Sequence, residues 1–106
     1  MRGDVLKNHL ELLVLNALRA GPAHGYSIIR AIRDGSDGEF ELLEGSLYPV
    51  LHRLERNRLV ASSWSNVGGR RRRVYKLSPK GRSVLEQHQQ DWRRFERAMN
   101  LVLAGR

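Results

Sequence analysis

Apolar positions recur along this chain with two different periods. Leu6, Leu10, Leu13 and Ala17 keep a helical spacing, and Leu12, Val14, Leu15 and Leu18 widen the stripe. This predicts a first helix over residues 5–18, capped by Asp4 and apolar over so much of its circumference that it needs burial on more than one side. Arg19-Ala20-Gly21-Pro22 stops it. A second helix is predicted over residues 25–33, with Tyr26, Ile29 and Ile32 on one face. Asp34-Gly35-Ser36-Asp37-Gly38 breaks the chain again, and the alternation in Phe40-Glu41-Leu42 predicts a short strand. Ser46 is the expected cap of a third helix over residues 47–57, with Pro49 in its first turn, where a missing N–H does no harm. Leu47, Leu51 and Leu54 mark its inward face. Val50, Arg53 and Asn57 are expected broadly opposite, with His52 and Arg56 on the flanks.

The period then shortens. Residues 59–64 and residues 70–77, around the turn Asn66-Val67-Gly68-Gly69, predict a hairpin whose tip and returning arm are rich in arginine. Ser78-Pro79 opens the last element, a cap followed by proline at the first helical position. That helix is expected to reach Leu103, about 37 Å. Leu85, His88, Trp92, Phe95, Met99 and Val102 fall at alternating intervals of three and four, a heptad seam. A domain of this size cannot bury so long a helix, so the seam calls for a second chain. The fold expected is mainly α with a small β-hairpin (α+β). Residues 1–77 form one unit and residues 78–106 a C-terminal dimerisation helix, with Leu6, Leu10 and Leu13 of the first helix also in the interface.

Charge adds a partner. The 106 residues carry a net charge of +8. Acids and bases cancel over residues 1–60, so the whole excess lies beyond, and between Arg53 and Arg82 Glu55 is the single acid. Such a cluster is the footprint of a polyanion. Nucleic acid leads, with an anionic membrane surface or a merely solvated face as alternatives. The five acids from Asp34 to Glu44 are expected to face away from that partner. Their spacing fails as a calcium loop. With no cysteine, disulfides, thiol nucleophiles and cysteine zinc sites are excluded. The four histidines show no ligand spacing, so no metal and no cofactor are expected. No apolar run is long enough for a membrane span, and the N-terminus lacks the pattern of a signal peptide, so a cytoplasmic protein is expected. Neither a phosphate-binding loop after a strand nor a nucleophile elbow is present, which argues against an enzyme.

Three helices, a basic hairpin and a long helix follow the order of a winged helix-turn-helix. A helix fits the major groove, and an arginine-tipped hairpin reaches the adjacent minor groove or phosphates. Within this order stand His24-Gly25-Tyr26, the run from Gly45-Ser46-Leu47-Tyr48-Pro49 through Leu51, Arg53, Leu54 and Glu55, then Trp64, then Tyr75-Lys76-Leu77-Ser78-Pro79-Lys80-Gly81. In these motifs, spread over nearly the whole chain, the sequence resembles the PadR-like transcriptional regulators, and its length resembles the small subclass with one C-terminal helix. The resemblance implies a homodimeric repressor of double-stranded DNA. Carried over by position, Ser46, Tyr48, Pro49, His52 and Arg53 would face the major groove, and Arg70, Arg71, Arg72 and Arg73 would form the wing. Tyr26 would be core or touch phosphate, and Tyr48 serves equally as half-buried filling or as a DNA contact. A glycine usual in the family before the strand after the recognition helix is here Arg58, so Asn57 is expected to take the left-handed turn, or the turn differs.

The resemblance also implies a small aromatic effector at the dimer interface, for which Trp92, Phe95 and Met99 are the matching kind of residue. The same three serve as plain dimer core. His88 in the seam is expected as a hydrogen-bonded interface histidine. The resulting expectation is a sequence-specific regulator with a palindromic operator. The alternative is a non-specific architectural protein that binds any duplex through its arginine wing.

Overall fold

Residue 6 and residues 9–105 are described by the structure of the chain, a computed structural model. The expected cap Asp4 and the expected start of the first helix at residue 5 lie outside the described residues. Helix α1 (Leu10–Ala17) buries Leu10, Val14 and Leu15, with Leu6 before it and Leu18 after it also buried. A two-residue strand β1 (Ala23–His24) follows, and His24, in extended conformation, caps α2 (Gly25–Gly35). The inward stripe of α2 is Gly25, Ile28 and Ile32. The expected stripe of Tyr26, Ile29 and Ile32 is therefore corrected. Gly25 lets another element close on the helix, which turns Ile28 fully inward, leaves Ile29 half-buried and carries Tyr26 out to solvent beneath Arg30, 5.3 Å from its ring.

Residues 39–43 form no strand. Leu42 is buried and Phe40 half-buried, so the alternation is real, but it records docking on the core without a strand neighbour. The Phe40 N–H donates to Ser36 Oγ at 2.9 Å, a turn contact in place of a ladder bond. Helix α3 (Glu44–Arg56) begins earlier than expected, from Leu43 and without a side-chain cap. Ser46 is its third residue, and Glu44 in the first turn complements the helix dipole. Pro49 is accordingly inside the helix, where it lacks the N–H that would bond the carbonyl of Gly45. Val50, expected outside, is buried with Leu47, Leu51 and Leu54, the full i, i+3, i+4, i+7 stripe.

The end of α3 also departs from expectation. Asn57 keeps negative φ, and Arg58 itself adopts the left-handed turn at φ 63°. The Leu59 N–H bonds the Leu54 carbonyl at 2.9 Å and the Arg58 N–H that of Glu55 at 3.0 Å, a Schellman ending with arginine where glycine is favoured. Strands β2 (Val60–Ser65) and β3 (Arg72–Leu77) pair antiparallel from Val60↔Leu77 to Ser65↔Arg72, closed by a 3₁₀ turn at Val67–Gly69. β1 adds to the other edge of β3, giving the order β1-β3-β2.

Helix α4 (Pro79–Leu103) has the expected bounds, with Ser78 Oγ accepting the Gly81 N–H at 2.9 Å. A Cβ at Gly81 would fall on the carbonyl oxygen of Leu59, so the start of α4 lies hard against the turn after α3. The core is made by α1, α2 and α3 with the inner face of the sheet. Leu85 is the last buried apolar residue of α4; the helix then runs beside α1, where Gln89 bonds Asn16 and the Trp92 ring meets His9, before its far end projects, giving the molecule extents of 57 × 28 × 21 Å.

Candidate nucleic-acid interface

The outer side of α3 offers Ser46, Pro49, His52 and Arg53 to solvent. Tyr48 is half-buried, and its hydroxyl occupies the place a Cβ would take at Gly25, so the absent side chain on α2 makes room for the ring on α3. His52 lies next to it, 6.4 Å between ring centroids. Arg53 turns back, its Nε donating to Glu11 Oε1 of α1 at 3.3 Å. Among the expected groove residues, Arg53 thus has a partner inside its own chain.

The four arginines are not one uniform patch. Strand alternation sends Arg73 to the face that carries Tyr75 and Arg72 to the other, with Arg71 just before the strand. Arg71 and Arg73 lie over the ring of Trp64, at 4.5 and 5.1 Å from its centroid. Arg73 also approaches Glu55 of α3 at 3.9 Å, and Ser62 Oγ donates to the same carboxylate. The buried Tyr75 phenol is pushed above its ordinary pKa by burial and by Glu55, so it stays protonated. On the opposite face Arg72 donates to His24 Nε2 at 2.7 Å. A guanidinium only donates, so in this contact Nε2 is the acceptor. Burial, then Arg72, then Arg30 hold the His24 pKa below its ordinary value.

Between these elements lies an open cavity of about 590 Å³. Tyr26 and Tyr48 bound one side, Trp64 and the arginines of the wing the other. Glu44 stands on its wall, so this one member of the acidic stretch does not face away as expected. Four guanidiniums offer paired donors and positive charge, which suit the phosphates of a nucleic-acid backbone, beside three aromatic rings.

A different surface runs along α4. Trp92, Phe95 and Val102 are 38%, 52% and 70% exposed, and Met99 is exposed as well. The Trp92 ring meets His9 edge-on at 5.2 Å and Phe95 at 5.8 Å. A shallow cavity of about 270 Å³ here is lined by His9, Glu11 and Leu12 and, from α4, by His88, Asp91, Trp92 and Phe95. Met99 does not line it. Leu6, Leu10 and Leu85 are buried inside the protomer, which leaves them little surface for a second chain. Leu13 is half-buried. No helix of the described residues is long and apolar enough to cross a membrane, and no group of three or more metal-ligating side chains lies together among them.

A helix pair with an exposed polar outer face, set beside an arginine-lined hairpin and a long trailing helix, defines a winged helix-turn-helix protein. Residues 14–87 match the model of the transcriptional regulator PadR-like family, and the chain belongs to that family. It is similar to a PadR family transcription regulator from Clostridium difficile, at 34% identity and a TM-score of 0.81 over 90% of this chain and 98% of that one. A PadR-like regulator from Bacillus cereus gives a TM-score of 0.84 at 26% identity, covering 98% of this chain and all of its own. A transcriptional regulator of Mycobacterium tuberculosis is 42% identical over 66 residues, 62% of this chain and 59% of its own length. The protein is a DNA-binding transcriptional regulator of a family that regulates transcription and does not catalyse reactions.

The site contains residues that sequence reasoning does not select for it. Trp64 and His24 are visible only as family motif positions, and Glu55 as a motif position and a lone acid. The signal that finds Trp64 is the hairpin register, which pairs it with Arg73. The partner of His24 depends on β1, which is too short to leave a periodic trace.

Proposed function

We propose that the chain is a cytoplasmic homodimeric repressor that binds a palindromic operator. Residues 1–77 serve as the DNA-binding unit and residues 78–106 as the dimerisation helix. The observation that carries this reading is the row of Trp92, Phe95, Met99 and Val102, exposed at heptad spacing on a helix that has left its own core. A two-fold partner laid along that row sets two heads side by side, and two heads read two half-sites. Ser46, Tyr48, Pro49, His52 and Arg53 then meet the major groove, and Arg70, Arg71, Arg72 and Arg73 the flanking minor groove and phosphates. A small aromatic compound beside Trp92 and Phe95 acts by favouring one spacing of the heads over the other.

The test is to sequence sheared genomic DNA captured by the purified protein at about physiological salt. A few sharp sites sharing a palindrome are expected. A broad, featureless profile would instead support the architectural reading, which the exposed arginines 70–73 favour. The two readings also divide on mutants. In a specific repressor, His52→Ala with Arg53→Ala erases sequence preference, whereas replacing the wing arginines weakens every duplex. For the effector, titration of Trp92 emission with a broad panel of flat aromatic compounds should show saturable change for at least one; none would remove the effector from this reading.

A further inference from the structure

Trp64 is the largest side chain of the hairpin and is 53% exposed, on the strand end beyond the last buried residues of the sheet. Hydrophobic burial does not explain a tryptophan there. Its ring faces guanidiniums: Arg73 of β3 and Arg71 just before that strand both lie over it, and Trp64 is in register with Arg73. Tryptophan is the strongest aromatic partner for a cation, and a free arginine carries a large rotamer entropy that must be lost when it docks. A stack formed before DNA arrives removes part of that loss. Arg73 is held further by its approach to Glu55, which ties the stack to the recognition helix.

We propose that Trp64 is a positioning residue of the DNA interface, a platform that fixes the Arg71 and Arg73 guanidiniums and thereby raises specific binding over non-specific binding. Non-specific affinity depends on how many phosphates are neutralised, and that number does not change when Trp64 is replaced. Specific contacts require each guanidinium at one place against a groove of one width, and those are what the platform supplies. This inference rests on reading the wing as the DNA contact.

The test uses the full chain. Wild-type protein selects its tightest duplex from a random-sequence library, and a scrambled duplex of equal length serves as the non-specific probe. Trp64→Ala is expected to weaken the selected duplex about tenfold and the scrambled one less than about twofold, with an unchanged salt slope. Trp64→Phe is expected to fall between wild type and alanine, and it carries the test if Trp64→Ala melts early. In a chain already bearing Arg71→Ala and Arg73→Ala, replacing Trp64 is expected to add nothing, the signature of a residue that acts through those two. Equal losses on both duplexes, no loss on either, or a full further loss in the arginine-free background would overturn the proposal. Failure of the underlying reading looks different: no duplex is enriched, or Arg71→Ala with Arg73→Ala leaves binding intact.

Discussion

The two tryptophans of this chain are both partly exposed, and their surroundings differ in kind. Trp64 lies under two guanidiniums at the edge of an arginine-lined cavity. Trp92 meets an imidazole and a phenyl ring and continues into a row of apolar residues. An exposed aromatic ring does not by itself say what it binds. Cations over the ring favour a polyanion, because the same arginines that stack can also pair with phosphate. Apolar residues repeating at heptad spacing favour a protein, because only a second helix matches that spacing. The head of the molecule holds the buried core, while the far half of α4 buries none of its apolar residues.

The largest expected effect is on the Trp92 side. Phe95→Glu places like charges across a two-fold seam and should weaken self-association by about a hundredfold or more, read by sedimentation, while the melting of the head stays nearly unchanged. Gly81→Ala tests where the head ends. The added methyl meets the backbone of Leu59, so a loss of about 3 kcal/mol is expected in denaturant melts. A variant as stable as wild type would mean that the start of α4 is not locked to the turn after α3.

On the Trp64 side, replacing all four wing arginines with alanine should weaken every duplex and flatten the salt slope by about 0.9 for each phosphate that is no longer neutralised. A smaller effect comes from His24. Its folded pKa is lowered, so the unfolded chain binds the extra proton first as pH falls. The stabilisation is therefore complete above the unfolded value and is lost as pH drops from about 6.5 toward the folded pKa. His24→Gln should remove that part of the acid destabilisation, seen by comparing melting temperatures at pH 7.5 and 5.5. The smallest is Arg58→Gly, which relieves a left-handed arginine and should add about 1 kcal/mol of stability without touching either tryptophan.

How far the sequence can be read depends on how each residue acts. α4 is legible to the residue because Ser78, Pro79 and the heptad are local signals. The hairpin is legible because Gly68-Gly69 separates two runs of strand formers. Val50 and Ile28 escape the pattern because three positions do not fix a helix face, and a fourth residue one turn away decides where the stripe points. Ser46 has the residue type of a cap, whereas the extended Leu43 starts the helix without any side-chain cap. The arginines are legible as charge, but not as two separate groups, one stacked on Trp64 and one hydrogen-bonded to His24. That division comes from strand alternation and from the partner that β1 brings, which are tertiary facts.

The most direct measurement compares two single-tryptophan chains, Trp92→Phe and Trp64→Phe, by emission during DNA titration and during dilution through the association range. Trp64 alone should respond to the selected duplex and ignore dilution. Trp92 alone should respond to dilution and change little with DNA. If Trp64 is silent to a duplex that binds, or if the two responses are exchanged, the assignment of the two surfaces is wrong.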